Sequence, residues 1–390
     1  MKIKSIEPIA VSLPMKKPVQ MSGETVARAD NVFVRIEADN GLIGWGEGAS
    51  APAMTGETTA SMMAAIEFLT PKLVGRAADD LSGASAAMDA RMYGNSGAKA
   101  AIDIALHDLL GRASGRPVHA LLGAKQRNRI PVLDVIGSED AAADLREAQR
   151  SFNAGYRAFK IKVGLGSPEA DAARTRAICQ ALKRESEPSV KTSVKTSVKT
   201  SVETCLVSAD ANQGFTVDGA LRFVGAIGDC GLDFFEQPVD AHDLIGMARV
   251  AAATQIPIGA DEGIHAGDDI VRHHQRKAAG GVSLKAIKLG GLRGLIEASR
   301  LCARIGMRVN ISCKTGETSL ASAAAVHVAA VAPEIAWGLT VTSAGLAEEV
   351  ATVPLRIERG HVEVPQSPGL GIEIDERRIR HCAQQFKRVA

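Results

Sequence analysis

The chain has 390 residues, and its 46 lysines and arginines nearly balance its 44 aspartates and glutamates, which gives a formal charge of +2. This balance, together with the lack of any run of about 18 apolar residues, excludes a strongly basic nucleic-acid binder and a membrane-spanning protein. We therefore expect a small-molecule partner, and a cytoplasmic location because the N terminus shows no signal-peptide pattern.

The cysteines do not form a recognisable framework. There are six, and they show neither a C-x-x-C pair nor the regular spacing of a disulfide-rich domain. We expect all of them to be reduced and without a role in chemistry. They are Cys179, Cys205, Cys230, Cys302, Cys313 and Cys382.

The first 125 residues are predicted to form an α+β domain. Residues 1–50 alternate between apolar and polar in the manner of an antiparallel meander, and Asn40-Gly41 is the signature of a two-residue hairpin turn. From Thr58 to Leu122 the apolar spacing becomes helical and ends at a glycine.

Residues 126–355 change character, since short apolar runs now alternate with helical stretches. Eight such runs predict a parallel sheet closed as a (β/α)-barrel, so the chain as a whole is of the α/β class. The runs are IPVLDVI, RAFKIKV, CLVSADA, LDFFEQP, IPIGADE, VSLKAIKL, RVNISC and AWGLTV. The tail, residues 356–390, resumes the alternation and is predicted to return to the N-terminal capping domain.

One segment stands apart from this pattern. Residues 189–204 are four copies of Ser-Val-Lys/Glu-Thr, a period that matches no solenoid repeat. We interpret it as a low-complexity expansion at the N-terminal rim of the barrel, away from the face where barrel enzymes carry their chemistry.

Polar residues stand at the ends of several of the apolar runs. The carboxylates and the last lysine follow one another at steps of 26, 25 and 24 residues, about one strand-helix unit each. A charged residue at the end of a buried strand is costly unless it is paired or metal-bound, so these residues are predicted to converge at the mouth of the barrel. They are Lys160, Lys162, Asp210, Asn212, Glu236, Asp261 and Lys285.

This set of side chains predicts a specific kind of chemistry. Three carboxylates without histidine or cysteine are hard oxygen ligands that suit Mg²⁺ or Mn²⁺ rather than zinc. Lys160 and Lys162 are two residues apart on one strand, so both point to the same side. Neighbouring cations should lower a lysine pKa and allow it to act as a base, while the metal stabilises an enediolate.

These motifs resemble the enolase superfamily, in its muconate-lactonizing-enzyme subgroup, also known as the mandelate racemase/muconate lactonizing enzyme family. The resemblance extends over nearly the whole chain, because GLIGWGE at residues 41–47 and the helical segment 101–123 are similar to the capping domain of that family. The matching barrel motifs are Lys160-Ile-Lys162, Asp210-Ala-Asn212-Gln213, Glu236-Gln237-Pro238, Asp261-Glu262 and Lys285-Ala-Ile-Lys288-Leu-Gly290-Gly291.

The resemblance implies a role for each matching residue. Asp210, Glu236 and Asp261 would be the metal ligands, with Lys162 and Lys285 as acid or base on opposite faces of the substrate carbon. Lys160 would lie near the substrate carboxylate, and we add Asn212 as a further substrate contact. We also expect a homo-oligomer.

Two departures from the subgroup narrow the substrate. Lys314 stands where muconate cycloisomerases usually carry a glutamate, and the eighth strand, Trp337–Thr342, lacks the Asp-x-Asp of dipeptide epimerases. Muconates and dipeptides are therefore both disfavoured as substrates. Lys314 either binds a second anionic group of the substrate or is an exposed loop lysine. The loop that closes over the site is predicted at residues 15–23, with Met21 among its possible substrate contacts.

Three functions remain open on this basis. The first is an isomerase, either a racemase or epimerase or a cycloisomerase, acting on the carbon next to a carboxylate. The second is a lyase that eliminates water from a hydroxy acid or hydroxyproline after the same proton abstraction. The third is a barrel that binds a ligand without turnover, which the retention of three carboxylates and paired lysines argues against. A Schiff-base aldolase would also use a lysine but would not need the carboxylates.

Overall fold

A computed structural model of the chain describes residues 1–21, 24–137, 140–186 and 205–389. The repeat at 189–204 and Ser22 lie outside these ranges. No helix of the described residues is long and apolar enough to cross a bilayer. All six cysteines are buried and outside any disulfide, as the sequence predicted.

The N-terminal part is an antiparallel sheet with helices on one side. The sheet consists of β1 (Ile3–Met21), β2 (Glu24–Ala38) and β3 (Ile43–Ala49), in that order. The turn between β2 and β3 contains Asn40-Gly41 and forms the predicted hairpin, but its loop is longer than the predicted two residues. The Ala38 N–H donates to the Leu42 carbonyl, and Gly41 has a positive φ of 83°. The helices are α1 (Thr59–Leu73), α2 (Leu81–Arg91), α3 (Ser96–Ser114) and α4 (His119–Leu122).

Helix α3 packs closely on β3 because the strand presents glycines to it. A Cβ atom on Gly46 would collide with the carbonyl oxygen of Ala101 in the helix, and one on Gly48 would lie 2.7 Å from the carbonyl of Gly97. The alternation of glycine in IGWGEG therefore allows a buried helix to approach the sheet. Nearly all of α3 is buried as a result.

The barrel follows from eight parallel strands that alternate with helices. Its elements, after the short strand β4 (Arg129–Pro131), are β5 (Leu133–Ile136), α5 (Ala141–Asn153), β6 (Ala158–Lys162), α6 (Pro168–Ser186), β7 (Leu206–Asp210), α7 (Val217–Ile227), β8 (Phe234–Glu236), α8 (Leu244–Ala252), β9 (Ile258–Ala260), α9 (Gly267–Gln275), β10 (Gly281–Leu284), α10 (Ala286–Leu289), α11 (Leu292–Ile305), β11 (Arg308–Ser312), α12 (Ser319–Val331) and β12 (Leu339–Thr340).

The strands follow chain order around the barrel from β5 to β12, and a bridge between Val132 and Leu339 nearly closes it. The eight strands confirm the predicted barrel and its α/β class. At the N-terminal end the buried ring of Trp337 stacks on Phe234 with 4.1 Å between ring centroids, which fills the barrel interior there.

The tail lies against both earlier parts of the chain. After a short 3₁₀ helix at Ser343–Gly345, strand β13 (His361–Glu363) pairs with β4, and α13 (Glu376–Val389) packs on β1. Arg380 in α13 donates to Glu7 Oε2 over 2.7 Å. The alternating stretch of the tail therefore pairs with β4 near the start of the barrel, and the helix that follows it contacts the capping sheet.

The predicted loop at residues 15–23 is wrong in its secondary structure. Residues up to Met21 continue β1, and β2 starts at Glu24, with Val19 opposite Val26 and Met21 opposite Glu24. A register shift between Pro14 and Val19 bends this arm, which still reaches over the mouth of the barrel. The family resemblance suggested a loop, but cross-strand backbone pairing extends the hairpin instead.

Candidate active site

The C-terminal ends of the barrel strands surround a cavity of about 90 Å³. Every residue that the sequence predicted for the site lines this cavity. They are Met21, Lys160, Lys162, Asp210, Asn212, Glu236, Asp261, Lys285 and Lys314. The spacing of one strand-helix unit between successive polar residues thus brings them to one mouth.

On one side of the cavity, the two lysines of β6 contact the carboxylates of the next strands. Lys160 Nζ lies 2.7 Å from Glu236 Oε2 and 3.9 Å from Asp210 Oδ2. Lys162 Nζ lies 2.7 Å from Asp210 Oδ2 and donates to Asn212 Oδ1 over 2.6 Å. Both lysines point inward, as their spacing of two residues predicted.

On the opposite side, Asp261 follows β9 and is held by two lysines. Lys285, directly after β10, donates to Asp261 Oδ2. Lys288, one turn later in α10, lies 2.6 Å from Asp261 Oδ1 and donates to the carbonyl of Ser283 over 3.0 Å. The sequence analysis gave Lys288 no role, although its position three residues after Lys285 was the available signal.

The electrostatics of the carboxylates follow from burial and from these lysines. Burial raises the pKa of Asp261, but Lys285 and Lys288 outweigh it, so the pKa lies well below its usual range. The pKa of Asp210 is lowered in the same way by Lys162 and Lys160. Burial and the two neighbouring aspartates raise the pKa of Glu236, against the effect of Lys160.

The pKa values of the lysines around the cavity are shifted in different directions. Burial lowers the pKa of each, but Glu236 and Asp210 raise that of Lys160 above its usual value, and Asp261 does the same for Lys285. The pKa of Lys288 is lowered, first by burial and then by Lys285, against the pull of Asp261. These directions follow from how closely the carboxylates contact the ammonium groups, and the lowering expected beside a divalent cation stays a prediction.

The donor set fits a hard divalent cation in its chemistry. Oxygen is the only ligand type among Asp210, Glu236 and Asp261, and the buried Glu236 Oε1 has no hydrogen-bond donor among the residues that the structure describes. As arranged here, however, no three acids or other ligating side chains of the described residues stand at metal-binding spacing, because ammonium groups contact these carboxylates. The residues can hold such an ion if the lysines withdraw.

Lys314 belongs to the wall of the cavity. It follows β11 and is only 6% exposed, so the interpretation as an exposed loop lysine is wrong. Its backbone is fixed on both sides, since its N–H donates to Glu317 Oε2 over 3.0 Å and its carbonyl accepts from Thr342 Oγ1 over 2.8 Å. Apolar side chains of the β1 arm and of a later loop, Val19, Met21 and Met54, also line the cavity.

A second group of buried acids lies behind Lys314, at the contact between the capping sheet and α12. We call it the junction cluster, and it consists of Glu47, Glu317, Asn31 and Thr318. Glu47 accepts from Asn31 Nδ2 over 2.7 Å, from the N–H and Oγ1 of Thr318 over 2.9 and 2.6 Å, and from the N–H of Ala321 over 3.1 Å. Asn31 also donates to the carbonyl of Gly316 over 2.9 Å, which ties the Lys314 loop to the capping sheet.

Burial raises the acid pKa values of the junction cluster. The pKa of Glu47 rises to about 8, with Glu317 adding to the effect of burial, and that of Glu317 rises to about 7. Neither acid contacts an ammonium group through its carboxylate in the described hydrogen bonds. The sequence analysis missed this cluster because Glu47 and Glu317 are 270 residues apart and share no motif.

Glu262 is a further residue of the cavity that sequence reasoning left without a role. It follows Asp261 directly, is 6% exposed, and accepts from Asn212 Nδ2 over 3.0 Å through Oε1. Its Oε2 has no hydrogen-bond partner within the described residues. Burial and Asp261 raise its pKa to about 7.

The eighth strand contributes hydroxyl groups to the cavity. Thr340 and Thr342 line it, while Trp337 is buried below. This agrees with the absence of the Asp-x-Asp motif in the sequence. The cavity therefore combines four lysines, four acids, several hydroxyls and an apolar cover.

Two family models match the chain. One, described as the mandelate racemase/muconate lactonizing enzyme N-terminal domain, matches residues 5–123, and the other, described as enolase C-terminal domain-like, matches residues 143–378.

Individual relatives match over nearly their full length. The chain is 31% identical over 389 residues to a chloromuconate cycloisomerase of Cupriavidus necator, with 98% of this chain and 99% of the relative covered. It is 31% identical over 390 residues to an N-succinyl-L-Arg/Lys racemase of Bacillus cereus, with 96% of each covered. The crystal structure of a muconate lactonizing enzyme from Pseudomonas fluorescens complexed with muconolactone superimposes with a TM-score of 0.88 at 29% identity, covering 97% of this chain and 98% of that one.

Proposed function

This chain belongs to the mandelate racemase/muconate lactonizing enzyme family and is an isomerase of the enolase superfamily; from that premise we propose that it abstracts the proton α to a carboxylate with lysines on both faces of the reacting carbon. The relatives include cycloisomerases, racemases and epimerases, which share this general type of reaction.

One observation carries the proposal. Lys162 ends β6 and Lys285 follows β10, four strands further around an eight-stranded barrel, so the two amines face the cavity from opposite sides. The three strands between them carry the three carboxylates, Asp210 on β7, Glu236 on β8 and Asp261 after β9. A planar intermediate held above the carboxylates would therefore present one face to each lysine.

Asp210, Glu236 and Asp261 would hold a Mg²⁺ or Mn²⁺ ion. When bound, the ion supplies positive charge that stabilises the substrate carboxylate as it takes up negative charge. The same carboxylates now stabilise the ammonium form of Lys160 and Lys285. If these carboxylates bound another cation, the pKa values of Lys160 and Lys285 would fall, because less negative charge would then favour the protonated form of each lysine.

The proton steps belong to the two opposed lysines. In one direction the Lys162 amine takes the α-proton from one face, and the Lys285 ammonium returns a proton to the other face, which inverts the stereocentre. In the reverse direction the roles exchange. A cycloisomerase would use one lysine as the acid alone.

The remaining residues orient the substrate. Lys160 donates to the reacting carboxylate, Asn212 contributes its amide, and Lys314 binds a second anionic or strongly hydrogen-bonding group on the substrate. Met21 covers the apolar part from the β1 arm. This arrangement suits a small carboxylate with a second acceptor group on the far side of the reacting carbon.

Deuterium exchange tests the proposal. A library of chiral carboxylates in D₂O with Mg²⁺ should include compounds that gain α-deuterium with the wild-type enzyme and lose this ability with EDTA. Lys162→Ala and Lys285→Ala should each reduce exchange from one enantiomer by about 10²–10⁴-fold, the range of general acid-base catalysis. If both variants exchange as fast as the wild type, the assignment of the lysines is wrong.

The product separates the isomerase from the lyase. A stereoisomer or lactone that accumulates with retained mass supports the isomerase, whereas a keto acid or imine with loss of water supports elimination after the same first step. Ligand binding without exchange or product, across the whole library, would favour a barrel without turnover.

A further inference from the structure

A short chain of hydrogen bonds connects Lys162 to a buried acid that has no assigned role. Lys162 Nζ donates to Asn212 Oδ1 over 2.6 Å, and Asn212 Nδ2 donates to Glu262 Oε1 over 3.0 Å. The three residues come from β6 and from the segments after β7 and β9, so only the closed barrel brings them together.

The two ends of this chain fix the orientation of the Asn212 amide. An ammonium group donates and a carboxylate oxygen accepts, and with these partners Oδ1 faces Lys162 while Nδ2 faces Glu262. The backbone of Asn212 is fixed as well, with a positive φ of 41° and its N–H donating to Asp210 Oδ1 over 3.0 Å. Without an acceptor at Glu262, Asn212 Nδ2 would lose the hydrogen bond that helps to orient the amide oxygen towards Lys162.

Glu262 is costly to keep in this position. It is 6% exposed, and its Oε2 has no hydrogen-bond partner within the described residues. A buried acid with an unpartnered oxygen destabilises the fold, so its presence calls for another explanation, such as a role at the site.

We propose that Glu262 is a positioning residue for Lys162, acting through the Asn212 amide. This inference rests on the proposed role of Lys162 as the base on one face. The hydrogen bond of Glu262 runs to that face alone, whereas only its charge acts on Lys285 across the cavity.

A pair of substitutions distinguishes the hydrogen bond from the charge. Glu262→Gln keeps an acceptor for Asn212 Nδ2, whereas Glu262→Leu removes it at similar size. In D₂O, Glu262→Leu should slow exchange about 10–100-fold for the enantiomer whose α-proton faces Lys162, as small misplacements of a catalytic group do. Both variants remove the charge that acts on Lys285, so the opposite enantiomer should exchange at the same rate in the two variants. Glu262→Gln should restore the exchange of the first enantiomer relative to the second.

A double variant tests whether the effect passes through Asn212. If it does, Glu262→Leu combined with Asn212→Ala should be no slower than Asn212→Ala alone, because both changes break the same chain. Additive losses would overturn the proposal. Mn²⁺ binding, measured by calorimetry, is the control for the metal site. Equally slowed exchange of both enantiomers together with weaker Mn²⁺ binding would overturn the proposal, because Glu262 would then support the metal site instead.

Crystal structures of the two variants give an answer that does not depend on turnover. Lys162 Nζ should remain in hydrogen-bond distance of Asn212 Oδ1 in Glu262→Gln and leave it in Glu262→Leu. If Lys162 keeps its position in Glu262→Leu, the role of Glu262 is overturned, whatever the activity of the wild type. If the wild type exchanges no substrate at all, the proposed function is refuted instead.

Discussion

Two groups of buried acids lie close to each other in this molecule, and their carboxylates have different partners. At the mouth of the barrel, Asp210, Glu236 and Asp261 contact lysine ammonium groups. In the junction cluster, Glu47 is surrounded by amide and hydroxyl donors. Lysines lower the pKa values of the two barrel aspartates, whereas burial raises that of Glu47 to about 8.

The difference indicates two uses of a buried acid. Carboxylates paired with lysine ammonium groups can exchange one cation for another, which the proposed metal site would require. A carboxylate bound by backbone N–H groups at the start of α12 instead joins two parts of the fold and fixes the loop that carries Lys314. The predictions that follow test this division in order of expected size.

The largest effect is expected for Asp261→Asn. This change keeps the shape of the side chain but leaves the buried ammonium groups of Lys285 and Lys288 without their carboxylate. Breaking such a buried pair should lower the free energy of unfolding by about 3–5 kcal/mol, which urea denaturation would measure. Exchange activity should be lost as well. A loss of activity with unchanged stability would show that Asp261 is not a structural counter-charge.

A smaller effect is expected at Glu47. Glu47→Ala leaves several buried donors without an acceptor and should lower the free energy of unfolding by about 3 kcal/mol, whereas Glu47→Gln keeps one acceptor and should cost about 1 kcal/mol. Urea denaturation of both variants provides the comparison. If Glu47→Gln lowers the free energy of unfolding as much as Asp261→Asn does, the two groups of acids do not differ in their dependence on charge.

The pH dependence of stability should separate the clusters next. The pKa of Glu47 is raised on folding, from the ordinary 4.5 to about 8, so its contribution is fully present below about pH 4.5 and is lost as the pH rises towards 8. The slope should reach about 1.4 kcal/mol per pH unit for one group. Asp210 and Asp261 have lowered pKa values, so their contribution is present above their ordinary pKa of 3.8 and lost on acidification.

Urea midpoints between pH 6 and 8.5 would measure this effect. The wild type should lose stability across the range, and Glu47→Gln should lose less, because it carries no titrating group there. Glu262 and Glu317, each with a pKa of about 7, titrate in both proteins, so the difference between the two curves reports Glu47 together with its interaction with Glu317. Parallel curves for the two proteins would contradict the assignment to Glu47.

The smallest effect is expected for Lys314→Met. Removing one charged hydrogen bond to the substrate should raise KM about 10-fold, corresponding to about 1.4 kcal/mol, while kcat changes less. Lys17→Met, on the β1 arm outside the catalytic cavity, is the matched control and should leave KM unchanged. An unchanged KM for Lys314→Met would remove it from the substrate contacts.

The sequence by itself determined the barrel and most of the site. Alternating apolar runs predicted the eight strands, and because parallel strands direct their C-terminal ends to one mouth, the spacing from Lys160 to Lys285 predicted which side chains would line it. Local rules also predicted the turn at Asn40-Gly41. These features depend on periodicity and on nearby residues, which a sequence displays directly.

Only the tertiary structure decided the contacts between distant segments. The β1 arm became a strand through cross-strand pairing, Lys314 became buried because the capping sheet holds its loop, and Glu262 met Asn212 across two barrel units. The raised pKa values of Lys160 and Lys285 depend on the tertiary structure in the same way, since the distance to each carboxylate determines the Coulomb interaction. Such distances depend on the closure of the whole barrel, which no local pattern records.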